Sequence, residues 1–477
     1  MRGLIFKHCI CGAIIFWKVF FPGIVTAQTV DSLKMLSQQE FLSVVRTFHP
    51  VALQAKLLTE MADAGLIAAR AGFDPFFSMN GERKTFDGVN YYNWVRPELK
   101  IPTWFGIEVK AGLENNIGDY LNPEYTKGKS SYLGISLPVA KNLLMDKRRA
   151  VLKQARIFTD LSNAERAQIF NDLLTEANYS YWNWVKDYHV FKIRQEAVAV
   201  TQARYRLIKI GYQQGDRPAI DTTEALAQLE SFQLAQNESQ VKFLQSGLEL
   251  SNYMWVNDST PFYITPDVIP DTNWTKVNFT DMELPALEQL TSSAAIYHPK
   301  LMQFDYKIRI LEIERRLKFQ DLLPAINLKG NLLNSGYNVF ENASIPLYEN
   351  NYKFGFDIGV PLRFSQGRGE YRMAKLKLLD AGLDRSQTRL QIENKIKSVF
   401  TEVGNLQTQM AIAGRNYENY YRLFRGEETR FSVGESSLFI LNSRENKVLE
   451  TRQKLIELQT KFMQSLVALQ GAAGLMQ

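Results

Sequence analysis

Two stretches of equal length decide the fold: His49–Pro75 reads HPVALQAKLLTEMADAGLIAARAGFDP, and His298–Pro324 reads HPKLMQFDYKIRILEIERRLKFQDLLP. Each opens with His-Pro, carries apolar residues at helical spacing, and closes with a second proline 25 residues after the first. Proline is tolerated in the first turn of a helix but stops a helix further along. Each stretch therefore predicts a helix followed by an extended segment, and the match indicates an internal repeat rather than two chance His-Pro pairs.

Alternating apolar and polar residues follow both stretches. In the second half the alternation covers residues 326–332 and 353–364; in the first half it covers 132–139, with further segments at 95–101 and 107–114. A strand of this kind separates two different environments, which is typical of membrane β-barrel strands, although a soluble sheet edge gives the same pattern.

The first half is longer than the second in this region. The offset between the halves falls from 249 residues, between His49 and His298, to 223 residues, between Pro138 and Pro361, so the first half has 26 additional residues. They form either extra barrel strands or an outward-facing hairpin. Five aromatic residues lie nearby and indicate either an interface belt or core packing. They are Tyr91, Tyr92, Trp94, Trp104 and Phe105.

Proline-free regions at 141–210 and 366–431 predict two very long helices, each followed by a Gly-containing turn and a shorter helix at roughly 219–255 and 437–471. A helix covering 141–210 would span roughly 105 Å at 1.5 Å per residue, which suits a tall cylinder wall better than a compact globule. Apolar doublets recur every seven residues in the last helix, as in coiled coils. The doublets are Val448-Leu449, Leu455-Ile456 and Phe462-Met463.

The first 27 residues predict a cleaved secretory signal, with a membrane anchor as the alternative. Arg2 and Lys7 give a positive start, and Val25-Thr26-Ala27 is a small-residue cleavage site after an apolar stretch. Cys9 and Cys11 are the only cysteines, so the mature chain is expected to leave the cytoplasm without disulfides.

Composition excludes several function classes. Without the signal the net charge falls from +6 to +3, which is too small to indicate nucleic-acid binding. The mature chain has three histidines, His49, His189 and His298, and the two in the repeat are expected to cap or pack helices. We find no phosphate-binding glycine loop, metal-spaced cluster or nucleophile motif, so the sequence predicts neither catalysis nor a cofactor.

Strand number predicts an oligomer. No later segment is apolar for long enough to form a membrane helix, so the chain would cross a membrane by strands. Two to four strands per half do not close a wide barrel, because sheet edges in lipid leave unpaired backbone groups costing several kcal/mol each. Several copies must therefore pool their strands and their long helices, which produces a duct.

The ordered set of features resembles the TolC-like outer membrane efflux protein family. It comprises the two His-Pro helix starts, Leu323-Pro324 before the strands, and the turns at Gly215–Asp221 and Phe431–Ser437. The resemblance implies an α+β membrane protein: a homotrimer with a twelve-stranded transmembrane β-barrel in the outer membrane, continued by a long periplasmic α-helical barrel. It also implies a periplasmic adaptor protein and an inner-membrane pump as partners.

The predicted organisation is a signal at 1–27, a first repeat at 28–255, a connector at 256–285 and a second repeat at 286–477. The barrel strands fall at about 74–140 and 324–364. The predicted function is the exit duct of a tripartite efflux or type I secretion system, a passive channel opened by adaptor and pump. The alternative is a non-channel periplasmic coiled-coil scaffold or adhesion protein.

The same resemblance places a candidate gate at the periplasmic helix turns, where the helix ends close like an iris. The candidate residues are Gly215, Asp221, Phe431, Gly434, Glu435 and Ser436. Asp221 matches an acidic link position, although an acid near a helix start also satisfies free amides. Phe431 stands where a link-forming tyrosine occurs and lacks its hydroxyl, and Ser436 stands where a basic residue occurs. A hydrophobic plug around Phe431 is therefore expected to replace part of the polar link.

An acidic ring of the lumen is not expected. Ile440 and Ser443 stand where some members of the family place these acids. Glu435 and Glu445 are either substitutes for the ring or solvated charges near a helix end, and we favour the second interpretation.

Overall fold

The computed structural model describes residues 35–257, 260–276, 279, 282–337 and 351–476. The predicted signal at 1–27 lies outside these ranges, as do small parts of the connector and residues 338–350 of the second strand region.

Eight α-helices lie in the described ranges, in the same order in both repeats: two short, one very long and one of intermediate length. They are α1 Gln38–Phe48, α2 Pro50–Arg70, α3 Lys147–Gln213, α4 Ala219–Ser251, α5 Leu287–Tyr297, α6 Pro299–Gln320, α7 Ser365–Ser432 and α8 Leu438–Ala472. The 67 residues of α3 and the 68 of α7 span about 100 Å each. Helices α2 and α4 both pack on α3, and α6 and α8 both pack on α7. Within the described residues, no helix has both the length and the apolar character needed to cross a membrane.

The two His-Pro sites begin α2 and α6, as predicted. In each, the histidine is the N-cap and the proline occupies the first turn. Nδ1 of His49 accepts a hydrogen bond from the amide of Val51 at 3.2 Å, and Nδ1 of His298 accepts one from the amide of Lys300 at 3.1 Å. The prediction that these histidines cap helices is confirmed, and it explains why His precedes Pro twice.

Six strands form one antiparallel sheet with the order β10-β9-β5-β4-β3-β2. They are β2 Phe76–Phe86, β3 Val89–Pro102, β4 Glu108–Ile117, β5 Gly128–Pro138, β9 Ala325–Ser335 and β10 Tyr352–Gly359. Short strands complete the described set: β1 Met35–Leu36 pairs in parallel with β8 Ile269–Pro270, and β6 Trp255–Val256 pairs with β7 Thr260–Pro261. The connector is therefore tied to the start of the first repeat.

Strand register gives the sheet two chemically different faces. Leu133 lies opposite Leu332, Phe356 opposite Leu328 and Leu99 opposite Ala111, so apolar residues line up across strands. The other face carries the intervening charged and polar side chains. They include Arg96, Glu98, Lys100, Lys110, Glu114, Tyr132, Ser136, Lys329, Asn331 and Asp357. Because side chains alternate along a strand, this register places every member of each set on its own side.

Two cores hold the helices together. Trp184, Tyr181 and Phe41 lie in the first, and Phe462 with Ile396 in the second; each of these side chains is buried. The doublet residues Val448, Leu449 and Phe462 are all buried, as heptad packing requires. Trp274 of the connector packs edge-on against Trp182 and donates a hydrogen bond to His189 at 3.2 Å, so this part of the connector lies against α3.

The buried caps predict a pH dependence of stability. Burial lowers the pKa of His298 to about 4, whereas an unfolded histidine titrates near 6.5. Above about pH 6.5 neither state binds the proton, and between 6.5 and 4 only the unfolded chain does. Stability is therefore lost as the pH falls through this window, by on the order of 3 kcal/mol at pH 4.

His298→Asn keeps a good N-cap acceptor but does not titrate. We expect its thermal unfolding midpoint, followed by helical circular dichroism, to fall less between pH 6.5 and 4 than that of the wild type. Equal slopes for the two proteins would show that His298 does not contribute.

Candidate gate at the helix turns

The two candidate turns share one backbone design. Gly215 after α3 has φ of +84°, and Gly434 after α7 has φ of +82°. The next amide in each turn donates back to the helix at 2.9 Å, from Asp216 to Gly211 O and from Glu435 to Arg430 O. This is the Schellman pattern, in which glycine adopts the left-handed conformation that other residues avoid. Each long helix therefore ends at a defined residue.

Asp221 lies in the first turn of α4, where Pro218 and not Asp221 is the N-cap. The carboxylate is 3.8 Å from the guanidinium of Arg217. A carboxylate in a first turn is favoured by the helix dipole even when it caps no amide. The residue thus does not cap in the strict sense, and it helps to position Arg217.

Phe431 at the end of α7 lies under Arg217 from the other turn. The guanidinium carbon is 4.5 Å from the centre of the phenyl ring, a cation–π contact. Phe431 also packs on the small cluster formed by Ile208, Ala225, Leu438 and Leu441. The two turns are therefore joined within one chain by an aromatic ring that lacks the hydroxyl of the expected tyrosine.

Ser436 makes its link inside the second hairpin. Its hydroxyl donates to the carboxylate of Glu427, a residue one turn before Phe431 that is 8% exposed. Glu435 is exposed to solvent, as the solvated-charge interpretation expects. Sequence reasoning did not find Glu427, because a charged residue near a helix end is usually solvated.

Glu445 is not a solvated charge, so that prediction is wrong. Its carboxylate receives two hydrogen bonds from Arg204 of α3, at 2.6 and 2.8 Å, and its side chain is only 7% exposed. Asn442 extends the contact, because its amide nitrogen donates to Glu224 of α4 at 3.2 Å. These contacts join α3, α4 and α8. The buried carboxylate of Glu445 is tolerated because it is paired with the planar guanidinium of Arg204.

The structure thus divides five of the six candidate residues into three sets and leaves Glu435 exposed to solvent. Gly215 and Gly434 shape the turns, Asp221 and Phe431 meet at Arg217, and Ser436 meets Glu427. Ile440 and Ser443 lie on α8 between the second turn and Glu445 and carry no charge.

The chain shares its fold with several outer-membrane channel proteins. The chain is similar to the CmeC outer membrane channel of Campylobacter jejuni (TM-score 0.64, 16% identity, 92% of this chain and 85% of that chain). It is also similar to the open state of the MtrE outer membrane channel of Neisseria gonorrhoeae (0.64, 14%, 92% and 88%). A third is the outer membrane protein VceC of Vibrio cholerae (0.62, 13%, 92% and 96%). At these identities the likeness establishes the fold.

Residues 290–475, most of the second repeat, match the family model described as "Outer membrane efflux protein". The resemblance predicted from the sequence is confirmed by this match and by the shared fold. No curated protein sequence matches the chain.

The Arg204–Glu445 pair makes a specific prediction. Glu445→Gln leaves a buried guanidinium uncompensated and is expected to cost about 3–5 kcal/mol, whereas Arg204→Met with Glu445→Leu removes both charges and costs much less. Denaturant midpoints of the single and double variants test this.

The matched control is Glu196→Gln, which breaks a second α3–α8 pair. Glu196 lies 2.7 Å from Arg452, and its side chain is 60% exposed. Exposed pairs contribute about 0–1 kcal/mol, so this variant should unfold close to the wild type. A double variant less stable than Glu445→Gln would contradict the interpretation.

Proposed function

We propose that the protein is the outer-membrane exit duct of a tripartite efflux or type I secretion system. Three copies share one transmembrane β-barrel, and their long helices continue it as a tube through the periplasm. The duct is passive, and a periplasmic adaptor protein and an inner-membrane pump open it. The family match of residues 290–475 and the fold shared with outer-membrane channels support this assignment.

The two-faced sheet is the observation that carries the proposal. On its apolar face Phe354, Phe356 and Ile358 of β10 are each more than 60% exposed, with Leu133, Ile135 and Leu332 also exposed nearby. An exposed apolar area of this kind is rare on a protein surrounded by water. Lipid on the apolar face and water on the charged face satisfy both sets of side chains.

Exposed apolar stripes on the helices support the shared tube. On α4 the residues Leu234, Val241 and Leu248 recur every seven positions, and each is more than half exposed. Helix α7 carries a second such stripe, which consists of Leu376, Leu383 and Leu390. A seven-residue apolar repeat packs against another helix, and within the described residues these two stripes face outward. A neighbouring copy of the chain would cover them.

The helix turns are the part of the chain that we propose as the gate. The contact between Arg217 and Phe431 joins the α3–α4 turn to the α7–α8 turn, and Ser436 with Glu427 stiffens the second turn. An aromatic ring under a cation thus stands where the hydrophobic plug was expected, so the contact combines apolar packing with charge.

The scaffold or adhesion alternative is not favoured, because it leaves the apolar sheet face in water. Two adjacent residues of β9 separate the two possibilities. Leu332→Arg places a charge on the proposed lipid face, at an expected cost of about 2–4 kcal/mol near the bilayer centre. Asn331→Arg places the same charge on the water-filled side and should be tolerated.

The measurement is the yield of trimers and of single-channel currents in planar bilayers for the chain from residue 28 onward. We expect conducting trimers from the wild type and Asn331→Arg and a marked loss for Leu332→Arg. A monomer that leaves bilayers intact, or equal behaviour of the two variants, would refute the proposed function.

The gate predicts a change in conductance. Phe431→Ala removes the ring on which Arg217 rests, and Arg217→Gln removes the cation; both should raise the spontaneous open current. Val433→Ala alters an exposed residue of the same turn and is the control. Unchanged current in both gate variants would show that this contact does not hold the channel closed.

A further inference from the structure

The hairpin formed by β2 and β3 continues the main sheet. Strand β3 pairs with β4 from Pro102 opposite Glu108 to Asn93 opposite Ile117, and β2 pairs with β3 along its whole length. The residues that the sequence left as either extra strands or an outward hairpin are therefore part of one six-stranded sheet.

Both faces of the sheet extend into this hairpin. Val95, Leu99 and Ile101 lie on the apolar side of β3. Leu99 is opposite Ala111 of β4, and Ile101 is opposite Val109. The opposite side of β3 carries the charged residues Arg96, Glu98 and Lys100. A hairpin with water on both sides would not require one apolar face and one charged face.

Side chains on the polar face tie β3 to the rest of the sheet. The hydroxyl of Tyr132 on β5 crosses β4 and donates to Glu98 at 2.5 Å. Gly112 of β4 makes the crossing possible, because a Cβ there would lie 2.4 Å from the tyrosine ring. Arg96 contacts Glu114 at 3.8 Å and stacks over Tyr125 at 3.7 Å.

The ends of β3 are also placed as in a membrane-spanning strand. Trp104 follows the helix-side end of β3 and stacks on Phe73 at 5.2 Å, and Tyr91 near the other end contacts Tyr120 at 4.8 Å. Aromatic residues at both ends are typical of strands that cross the two membrane interfaces. The 14 residues of β3 exceed the ~9–11 needed to cross a bilayer at a tilt.

We propose that each chain contributes six strands to the shared barrel, and that edge strand β2 pairs with β10 of a second copy of this chain. The inference rests on the proposed function. It gives eighteen strands for three copies, in place of the twelve that the family resemblance implies. Strand direction alternates along the six-stranded sheet, so β2 and β10 run in opposite senses and antiparallel pairing continues around the ring.

The helices give an independent measure of the width of wall that each chain contributes. Four helices side by side, at 8–10 Å between axes, occupy about 32–40 Å of wall per chain. Six strands spaced about 4.8 Å apart and tilted by about 40° occupy roughly 38 Å, whereas four strands occupy roughly 25 Å. Six strands therefore match the helical layer that continues them.

Cysteine cross-linking between copies tests the pairing. Residues 28–477 contain no cysteine, so no background thiol interferes. We expect Met79→Cys or Phe77→Cys on β2, combined in turn with Phe354→Cys, Phe356→Cys or Ile358→Cys on β10, to give covalent dimers and trimers after oxidation. Cross-links from β10 to Val109→Cys or Ala111→Cys on β4, with none to β2, would overturn the proposal, since a four-stranded wall would end at β4.

Spin labels separate failure of this inference from failure of the proposed function. In proteoliposomes, labels at Leu332 and Leu99 should contact lipid-dissolved oxygen, and labels at Asn331 and Glu98 should contact a water-soluble relaxation agent. Lipid contact at Leu332 but water contact at Leu99 refutes the six-stranded wall and leaves the proposed function standing. Water contact at both leucines refutes the proposed function itself.

Discussion

A strand in lipid has no water to satisfy its backbone, and this constraint shapes the whole chain. The six-stranded sheet ends at β2 and β10, whose outer edges have no partner among the described residues. Each unsatisfied group in lipid costs several kcal/mol, so the sheet is stable in a membrane only when another chain completes it. The exposed heptad stripes of α4 and α7 have the same requirement in water. The sheet and the helices thus independently favour association of several copies.

The internal repeat explains how one chain forms both the sheet and the long helices. In each half a His-Pro pair starts a helix of about six turns, which then passes into the strands through a short turn. Each half contributes an even number of described strands to the sheet, so the chain comes back to the helical side of the sheet, where the long helix begins. The two halves differ because the first contributes four strands and the second contributes two described strands. Both halves keep the same order of helices. The additional hairpin of the first half widens the sheet without changing that order.

Much of this fold could be predicted from residues 49–75 and 298–324, because proline position and helical spacing are local signals. The long helices and their glycine turns were local signals too. Strand β2 is harder to predict from the sequence, because its residues, FFSMNGERKTF, do not alternate between apolar and polar. Its strand conformation comes from pairing with β3. The Arg204–Glu445 contact joins residues 241 positions apart, and no pattern in a single sequence reports such a pair. The two glycine turns are therefore predicted from the sequence, whereas the contacts of Arg217 and Glu427 appear only in the fold. The role of the turns as a gate stays a prediction.

Charge on the polar face of the sheet bears on what the duct can select. Lys100 lies 3.0 Å from Glu98, Lys110 lies 3.3 Å from Glu108, and Lys329 contacts Asp357. Opposite charges this close cancel at distances beyond about 8 Å in physiological salt. The barrel proposed above would be lined by these paired charges and would therefore discriminate little by the charge of its cargo. At the helix turns Ile440 and Ser443 are uncharged, Glu445 is paired inside the chain, and Glu435 is exposed to solvent. Selection by charge thus falls to whatever loads the duct, which agrees with the passive role proposed for it.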